Sequence, residues 1–307
     1  MSLRALVVGA AAGGGLPQWN CNGTNSARFW RGQPPAPATQ SSLAVTAQPG
    51  AEADWALINA SPDIRAQIMA TPALQPRDPA SFGLRDSPIR SVLLTNGDID
   101  HVAGLLTLRE KHPFTLFMTA EIASVIAANP IFAALDPALV ARRTVALEQP
   151  FDLLPGLTAT LFAVPGKVPL YLEGEEVQTD LIGEQTVGVM VEAGEKRLFY
   201  IPGCATLPAS LAARLDDALL VLFDGTVFHD DEMIREGVGQ KTGRRMGHMP
   251  MAGPDGSLQA FAPLTIARKI YIHINNTNPV WRPDSPERAS VEQAGWEIGH
   301  DGMEIAP

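Results

Sequence analysis

The sequence predicts an α+β fold in which two β-sheets pack against each other and helices cover their outer faces. Short apolar runs bounded by turn residues recur about ten times along the 307 residues, which indicates many strands. These candidates first follow one another and then alternate with helical patterns, which fits two packed sheets better than one doubly wound sheet. Several runs are apolar on both faces, as expected for strands that helices cover. No polar linker interrupts the chain, so residues 1–307 are expected to form a single domain.

The first strand candidate, residues 3–8, is followed by the glycine-rich turn 9–15. We interpret this start as a buried strand and not as a signal peptide. The turn lacks the third glycine of a dinucleotide-binding loop and the Lys-Ser/Thr that ends a P-loop, which argues against a nucleotide site. The remaining strand candidates, in order, are residues 42–46, 55–58, 91–94, 114–118, 158–164, 188–191, 197–201, 218–223 and 269–274.

Five segments carry apolar residues at the spacing of a helix, and they supply the outer layers of the predicted fold. They are residues 101–110, 120–128, 208–215, 258–267 and 286–294.

Composition excludes several classes of function. Hydrophobic residues make up 46% of the chain and mean hydropathy is +0.05, enough for a large core and too much for a disordered protein. The net charge of −10, from 23 basic and 33 acidic residues, argues against nucleic acid as a partner. No apolar run approaches the roughly 18 residues of a membrane span, so we expect a cytoplasmic protein with no membrane span. Cys21 and Cys204 are too few for a disulfide framework.

The loop after the strand candidate 91–94 concentrates side chains that bind metals or transfer protons. Asp98, Asp100 and His101 lie within four residues, where a buried strand ends and a helix begins. Two carboxylates and an imidazole in this position can converge on one cation. The other interpretation is an acidic turn in which one of the two aspartates caps the following helix.

The spacing of this loop resembles the Thr-His-x-His-x-Asp-His motif of the metallo-β-lactamase superfamily. Asn96 and Asp98 occupy the first two histidine positions, and Asp100 and His101 match the last two residues. Lys167 occupies the histidine position of the later Pro-Gly-His motif. The resemblance implies an αββα sandwich of the metallo-β-lactamase type, with its site at the loop ends of both sheets.

Other blocks of the sequence are similar to the family of pyrroloquinoline quinone (PQQ) biosynthesis protein B. They are residues 10–15, 17–21, 40–42, 59–65 and 273–279, and they extend from one end of the chain to the other. The family usually carries a Cys-x-Cys-x-x-Cys zinc knuckle, whose three positions here are Cys21, Gly23 and Ser26. One thiolate cannot hold a structural zinc ion, so we expect none.

Without that zinc ion, the loop of residues 18–30 is expected to be ordered by burial of aromatic side chains. The apolar residues available for this packing are Leu16, Trp19, Phe29 and Trp30.

The resemblance leaves one metal site. Asn96, Asp98 and Lys167 do not form the three-histidine site of the superfamily's hydrolases. Asp100, His101 and His273 remain, and two imidazoles with one carboxylate are the ligands of the non-haem Fe(II) oxygenases. We expect one divalent ion per chain, Fe(II) in the functional form, with Zn(II) able to replace it in crystals because zinc binds more tightly.

Further residues are assigned to catalysis and substrate binding around this metal. His248 is predicted to transfer protons, with a structural histidine as the alternative. Asp98 is either a fourth ligand or orients His101, and Cys204 is either a soft ligand or a core residue. The predicted substrate-binding residues are Lys167, Arg244, Arg245 and Asn275, with Lys241 beside them; the alternative for the basic residues is a solvated turn.

The resemblance implies a role in making PQQ from a peptide precursor that contains Glu and Tyr. The predicted activity is hydroxylation of the tyrosine ring by an iron-dependent oxygenase. Two alternatives stay open, a metal-dependent hydrolase and a non-enzymatic carrier that transports PQQ or its precursor. The expected partner is a small peptide or quinone precursor, and a homodimer is left open.

Overall fold

The computed structural model describes residues 3–306. Its strands form two seven-stranded sheets. The first sheet has the order β14-β1-β2-β3-β4-β5-β6, and the second has the order β13-β12-β11-β10-β9-β8-β7. The strands of the first sheet are β1 (Arg4–Gly9), β2 (Ser42–Thr46), β3 (Trp55–Ile58), β4 (Ile89–Leu93), β5 (Phe114–Met118), β6 (Val140–Thr144) and β14 (Met303–Ile305). Those of the second are β7 (Pro150–Leu154), β8 (Leu157–Ala163), β9 (Val187–Ala193), β10 (Lys196–Ile201), β11 (Val221–Asp224), β12 (Lys269–Ile272) and β13 (Trp296–Ile298).

The largest apolar cluster lies between the two sheets and joins residues of both, such as Val45 and Ile58 from the first with Val189 and Leu222 from the second. Helices cover the outer faces. The outer face of the first sheet packs on Ile64 and Ile122. The helices are α1 (Thr24–Trp30), α2 (Ile64–Ala70), α3 (Pro79–Phe82), α4 (Ile99–Val102), α5 (Ala120–Ala128), α6 (Ala209–Leu215), α7 (Glu232–Arg235), α8 (Ser257–Phe261) and α9 (Pro286–Gln293). The predicted two-sheet sandwich is therefore confirmed.

Strands that the sequence did not predict lie at or near the edges of the sheets. The strands β6, β7, β13 and β14 are short or expose most of their residues, so they carry little apolar signal. The predicted helix 101–110 is much shorter in the structure, because α4 gives way to a 3-10 turn at Ala103–Leu106. Gly104 packs directly on the backbone of Ala60 and Ser61 there, which fixes the chain in this tight turn.

The loop of residues 18–30 is not ordered by aromatic burial, and that prediction is wrong. Leu16 is buried, but Trp19 is 83% exposed and Trp30 is 53% exposed. Polar contacts hold the loop instead. The buried Asn25 side chain donates from Nδ2 to the carbonyl oxygens of Asn276 (2.7 Å) and Asn278 (2.8 Å). A buried amide satisfied in this way fixes α1 against the loop after β12.

Parallel strands bring the site together. The neighbours β3, β4 and β5 are parallel in the first sheet, and β10, β11 and β12 are parallel in the second. Because the carboxyl ends of parallel strands lie at the same edge, the loops after β4, β11 and β12 meet where the two sheets open. The segments after β4 and β12 carry the candidate metal ligands, and the loop after β11 carries Thr226, which orients one of them.

Candidate metal centre

His101 is buried in α4, just after β4, and its ring orientation follows from its neighbours. The Asn96 side-chain oxygen Oδ1 accepts a hydrogen bond from the backbone N–H of Asp98 (3.1 Å), which identifies it as an acceptor. His101 Nδ1 lies 2.7 Å from the same oxygen, so Nδ1 carries the proton and donates. The other nitrogen, Nε2, is left with a lone pair, and it is buried without a hydrogen-bond partner. Such an orphaned buried acceptor is costly unless a cation binds it.

His273 directly follows β12 and is oriented in the same way. The Thr226 hydroxyl donates to Asp224 Oδ1 at 2.6 Å, so its oxygen accepts from His273 Nδ1 at 2.8 Å. His273 Nε2 then faces Asp100 Oδ2 at 3.1 Å. The backbone of His273 has φ of 56°, a left-handed conformation that non-glycine residues rarely adopt. Strain of this kind marks functional positions because the surrounding contacts must maintain it.

Asp100 lies between the two imidazoles. Its Oδ2 is 3.1 Å from His273 Nε2 and 3.8 Å from His101 Nε2. Ligand atoms about 2.1 Å from a single ion lie roughly 3 to 4 Å from one another, so these spacings fit one divalent ion. The structure thus brings the three predicted ligands together, with ligand atoms within 4.8 Å of one another.

The charges of the three groups suit a cation. Burial opposes ionisation of Asp100, but His101 and the hydrogen bond from His273 outweigh it and lower the pKa of Asp100. Burial lowers the pKa of His101 to about 4, so its imidazole is neutral near pH 7. Burial also acts to lower the pKa of His273, but the hydrogen bond to Asp100 raises it overall. An imidazole must lose its proton to bind a metal ion, so metal binding at His273 competes with this hydrogen bond.

A second group of three, Asp224, His248 and His273, is equally compact. Asp224 is nevertheless fully engaged by protein donors. Its Oδ2 accepts from the Cys204 backbone N–H (2.9 Å) and from His248 Nδ1 (2.7 Å), and its Oδ1 accepts from the N–H and hydroxyl of Thr226. Burial acts to raise the pKa of Asp224, but His248 lowers it overall. Asp224 therefore orients His248, whose ring stacks on His273 at 5.2 Å.

The sequence interpretation assigned no role to Asp224 and Thr226. Asp224 is the last residue of β11, which is entirely buried, and Thr226 lies two residues further on. A polar Asp-Gly-Thr sequence after such an apolar strand was the available signal, because the carboxyl ends of parallel strands line the sites of open sheets.

Asp98 is the N-cap residue of α4, as the alternative interpretation has it, but its side chain makes no capping hydrogen bond. It lies outside the compact group of ligand atoms and lines the adjacent cavity. Burial, and next the negative charge of Asp100, raise the pKa of the Asp98 carboxyl group.

A cavity of about 410 Å³ opens directly beside the metal centre. Most of the predicted site residues line it: Asp98, Asp100, Lys167, His248, His273 and Asn275. The remaining wall is largely apolar, with Ile99, Leu170, Tyr171, Met233 and Met246. This volume is suited to a small organic molecule.

Arg244 and Arg245 do not line this cavity. The Arg244 guanidinium lies 3.8 Å from the carboxylate of Asp255, and Arg245 pairs with Glu173 at 3.0 Å. Glu173 also holds Lys167, whose Nζ lies 3.0 Å from Oε1. The structure therefore turns both arginines toward partners outside the site, and Lys241 lines the cavity instead.

Cys204 is a core residue. Its side chain is fully buried, and its thiol donates to the carbonyl of Thr206 at 3.0 Å. Burial raises the pKa of the thiol far above its usual range, which disfavours the thiolate that a metal requires. Within residues 3–306, no helix is both long and apolar enough to cross a membrane.

Comparison with known proteins identifies the family of this chain. The β-lactamase superfamily domain matches residues 54–274. "Coenzyme PQQ synthesis protein B" of Ruegeria pomeroyi is 58% identical over 99% of both chains, and the protein of that name from Rhizobium meliloti is 57% identical over 99% of this chain and 97% of its own. The chain belongs to the coenzyme PQQ synthesis protein B family. This assignment confirms the resemblance seen in the sequence and agrees with the predicted role in PQQ biosynthesis.

A solved structure of the coenzyme PQQ synthesis protein B family extends the comparison. The crystal structure of PqqB from Methylobacterium extorquens, described as Zn²⁺-bound, is 52% identical and superposes with a TM-score of 0.94 over 98% of this chain and 99% of that one. A diphosphatase of the PhnP family, 18% identical, superposes with a TM-score of 0.64 over 99% of this chain and 97% of its own, and shows the shared fold alone. The metallo-β-lactamase fold is thus confirmed, and metal binding is supported. Iron as the metal and one ion per chain stay predictions.

Proposed function

We propose that the chain is a metal-dependent oxygenase of PQQ biosynthesis that hydroxylates the tyrosine ring of a Glu-Tyr-type precursor. The observation that carries this proposal is the arrangement of Asp100, His101 and His273. Both imidazoles point Nε2 toward one carboxylate, while the positions of a three-histidine hydrolase site hold Asn96 and Lys167. An Fe(II) ion held by these residues would supply the activation of O₂.

The chain's own residues bind the substrate and hold protons. Asp98 carries a carboxyl group, and His248 is oriented through Nδ1 by Asp224. Both line the cavity, so a ring docked there has two proton-transfer groups within reach. Hydroxylation converts a ring C–H bond to C–OH, and the second oxygen atom of O₂ leaves as water. This reaction consumes two protons and two electrons, which a small external reductant of the ascorbate or thiol class supplies.

The test uses protein purified without oxygen, loaded with Fe(II), and given Glu-Tyr, ascorbate and ¹⁸O₂. We expect one labelled oxygen atom in the tyrosine ring, detected by mass spectrometry. His101→Ala and His273→Ala should each lose the metal and the product, because two imidazoles supply most of the affinity. Lys167→Ala and the matched control His300→Ala, an exposed histidine, should retain the metal.

The alternatives give different outcomes in the same experiment. Bond cleavage that needs no O₂, by protein with two zinc ions, would favour the hydrolase. Binding of the quinone without any turnover would favour the carrier. We further propose that residues 1–307 act as one cytoplasmic domain, and gel filtration of the same samples tests for a homodimer.

A further inference from the structure

We propose that Lys241 binds a carboxylate group of the substrate and so positions the substrate's aromatic ring at the metal centre. This inference rests on the proposed function, because it concerns the same cavity and names the part of the substrate that the protein recognises.

The other lysine of the cavity is already paired. Lys167 Nζ lies 3.0 Å from Glu173 Oε1, and the two side chains are only 12% and 7% exposed. Glu173 is also bound by Arg245 at 3.0 Å. Burial opposes its ionisation, but these two cations outweigh burial and lower the pKa of Glu173 to about 2. Lys167 and Arg245 thus hold a carboxylate of the protein itself, which leaves them poorly placed to bind one from the substrate.

Lys241 differs from Lys167 in having no such partner. It lines the same cavity and is half-buried, and within residues 3–306 its ammonium group forms no ion pair. A cation partly withdrawn from water next to an open cavity gains free energy when an anion enters. A substrate carboxylate would provide that anion.

The backbone that carries Lys241 is fixed relative to the proton-transfer residue His248. Gly243 N–H donates to the carbonyl of Asp230 (2.8 Å), and Arg244 N–H donates to the Asp230 carboxylate (2.8 Å). His248 N–H in turn donates to the carbonyl of Gly243 (2.9 Å). Lys241 therefore lies two residues before a hydrogen-bonded segment that extends to His248, so the fold limits how far the Lys241 backbone can move relative to that histidine.

The rest of the cavity wall suits the ring. Ile99, Leu170 and Tyr171 form an apolar rim, and each is more than 40% exposed, so the rim is available to a ligand. An aromatic ring against this rim and a carboxylate at Lys241 describe a molecule with an acidic end and an aromatic end. A Glu-Tyr-type precursor has both.

The test measures binding to the Zn(II)-loaded protein, in which no oxidation occurs. The probes are Glu-Tyr, Glu-tyrosinamide and Gln-Tyr. Glu-tyrosinamide lacks the terminal carboxylate of Glu-Tyr, and Gln-Tyr lacks its side-chain carboxylate. We expect the wild type to bind Glu-Tyr at least about tenfold more tightly than one of the two neutral analogues, the effect of one charged hydrogen bond in a partly buried site. Lys241→Met should abolish this discrimination, and Lys241→Arg should retain most of it.

Lys196→Met, at an exposed lysine on β10, is the matched control and should bind all three probes as the wild type does. Equal affinities of the wild type for all three probes would overturn the inference. So would discrimination that survives in Lys241→Met but disappears in Lys167→Met. Because the readout is binding to a zinc protein, failure of the Fe(II) protein to hydroxylate Glu-Tyr would count against the proposed function and leave this measurement intact.

Discussion

Asn96 determines which nitrogen of His101 is available to a metal. It occupies a position that holds a histidine ligand in the superfamily motif, yet its amide oxygen accepts from the Asp98 backbone and from His101 Nδ1. Residues that orient a metal-binding histidine usually contribute about 10- to 100-fold to metal affinity. The chain thus lacks a histidine at this position, and the asparagine that occupies it orients His101.

Asn96→Ala should therefore weaken metal binding by about 10- to 100-fold, because His101 loses its orientation and the Asp98 N–H loses its acceptor. Asn96→Asp keeps an oxygen acceptor in place and should bind nearly as tightly as the wild type. Titration against a competing chelator measures both. Unchanged affinity in Asn96→Ala would show that the tautomer of His101 is set in another way.

The positions of the proposed metal ligands were easier to predict from the sequence than those of the proposed substrate contacts. Asp100 and His101 follow a buried strand, and the end of a parallel strand fixes where such residues lie. Arg244 and Arg245 belong to an irregular segment, and the direction of each side chain depends on Asp255 and Glu173, which are distant in sequence. Such long-range pairs leave no local pattern that a sequence interpretation can use.

Two ion pairs of Glu173 hold the segment 167–173 beside the cavity. It binds Lys167 at one end of the segment and Arg245 from another loop, while the Tyr171 hydroxyl donates to the carbonyl of Gly97 at 2.6 Å. Leu170 and Tyr171, which this segment carries, line the cavity. The ion pairs therefore hold the apolar rim in position.

Glu173→Gln should raise KM several-fold and lower the free energy of unfolding by about 1 to 3 kcal/mol, because two cations lose a largely buried partner. Metal content should stay unchanged. Glu176→Gln, at an exposed position of the same segment, is the control. Steady-state kinetics and urea unfolding provide the measurements, and a Glu173→Gln protein with wild-type KM would contradict the role of the segment.

Glu232, at the start of α7, makes stability depend on pH. It accepts from the backbone N–H groups of Phe228 and His229 and from the Thr277 hydroxyl, and burial raises its pKa from 4.5 to about 7. The folded state thus binds a proton more tightly than the unfolded state. The stabilisation of the folded state by this proton is complete below about pH 4.5. It is lost as the pH rises through about 7, because Glu232 then ionises in its buried position.

Glu232→Gln keeps an uncharged acceptor at all pH values, so the free energy of unfolding should fall less between about pH 5 and pH 8 than in the wild type. The expected difference is roughly 2 to 3 kcal/mol. Urea unfolding at both pH values measures it, with Glu195→Gln in an exposed turn as the control. Parallel pH profiles for wild type and Glu232→Gln would show that Glu232 titrates normally.

The elements that the sequence predicted best are central strands. The bounds of β2, β3 and β5 agree with the prediction at every residue, because buried runs of β-branched and aromatic side chains end at clear turns. The edge strand β6 exposes four of its five residues and reads as a loop. Helix α1 was missed because a buried amide, and not an apolar stripe, anchors it.

For the whole molecule, the core between the sheets does not depend on a metal ion, since apolar side chains of both sheets fill it. EDTA removes the binding free energy of the ion at the Asp100 centre from the stability of the wild type. The melting temperature of the wild type should therefore fall only by the amount that this loss causes. In a His101→Ala, His273→Ala double variant, EDTA should have no effect. Differential scanning fluorimetry measures both melting temperatures. A sharp decrease of the melting temperature with EDTA in the double variant would reveal a second metal site, for which the loop around Cys21 is the candidate.

The proposed ligands of the metal centre come from both halves of the sandwich. Asp100 and His101 follow β4 of the first sheet, whereas His273 follows β12 of the second. During synthesis the first two ligands are made about 170 residues before the third, and neither half alone offers more than two ligands. High affinity for the ion can therefore arise only after the sheets have docked. The moment at which a nascent or refolding chain first retains the metal marks the completion of its assembly.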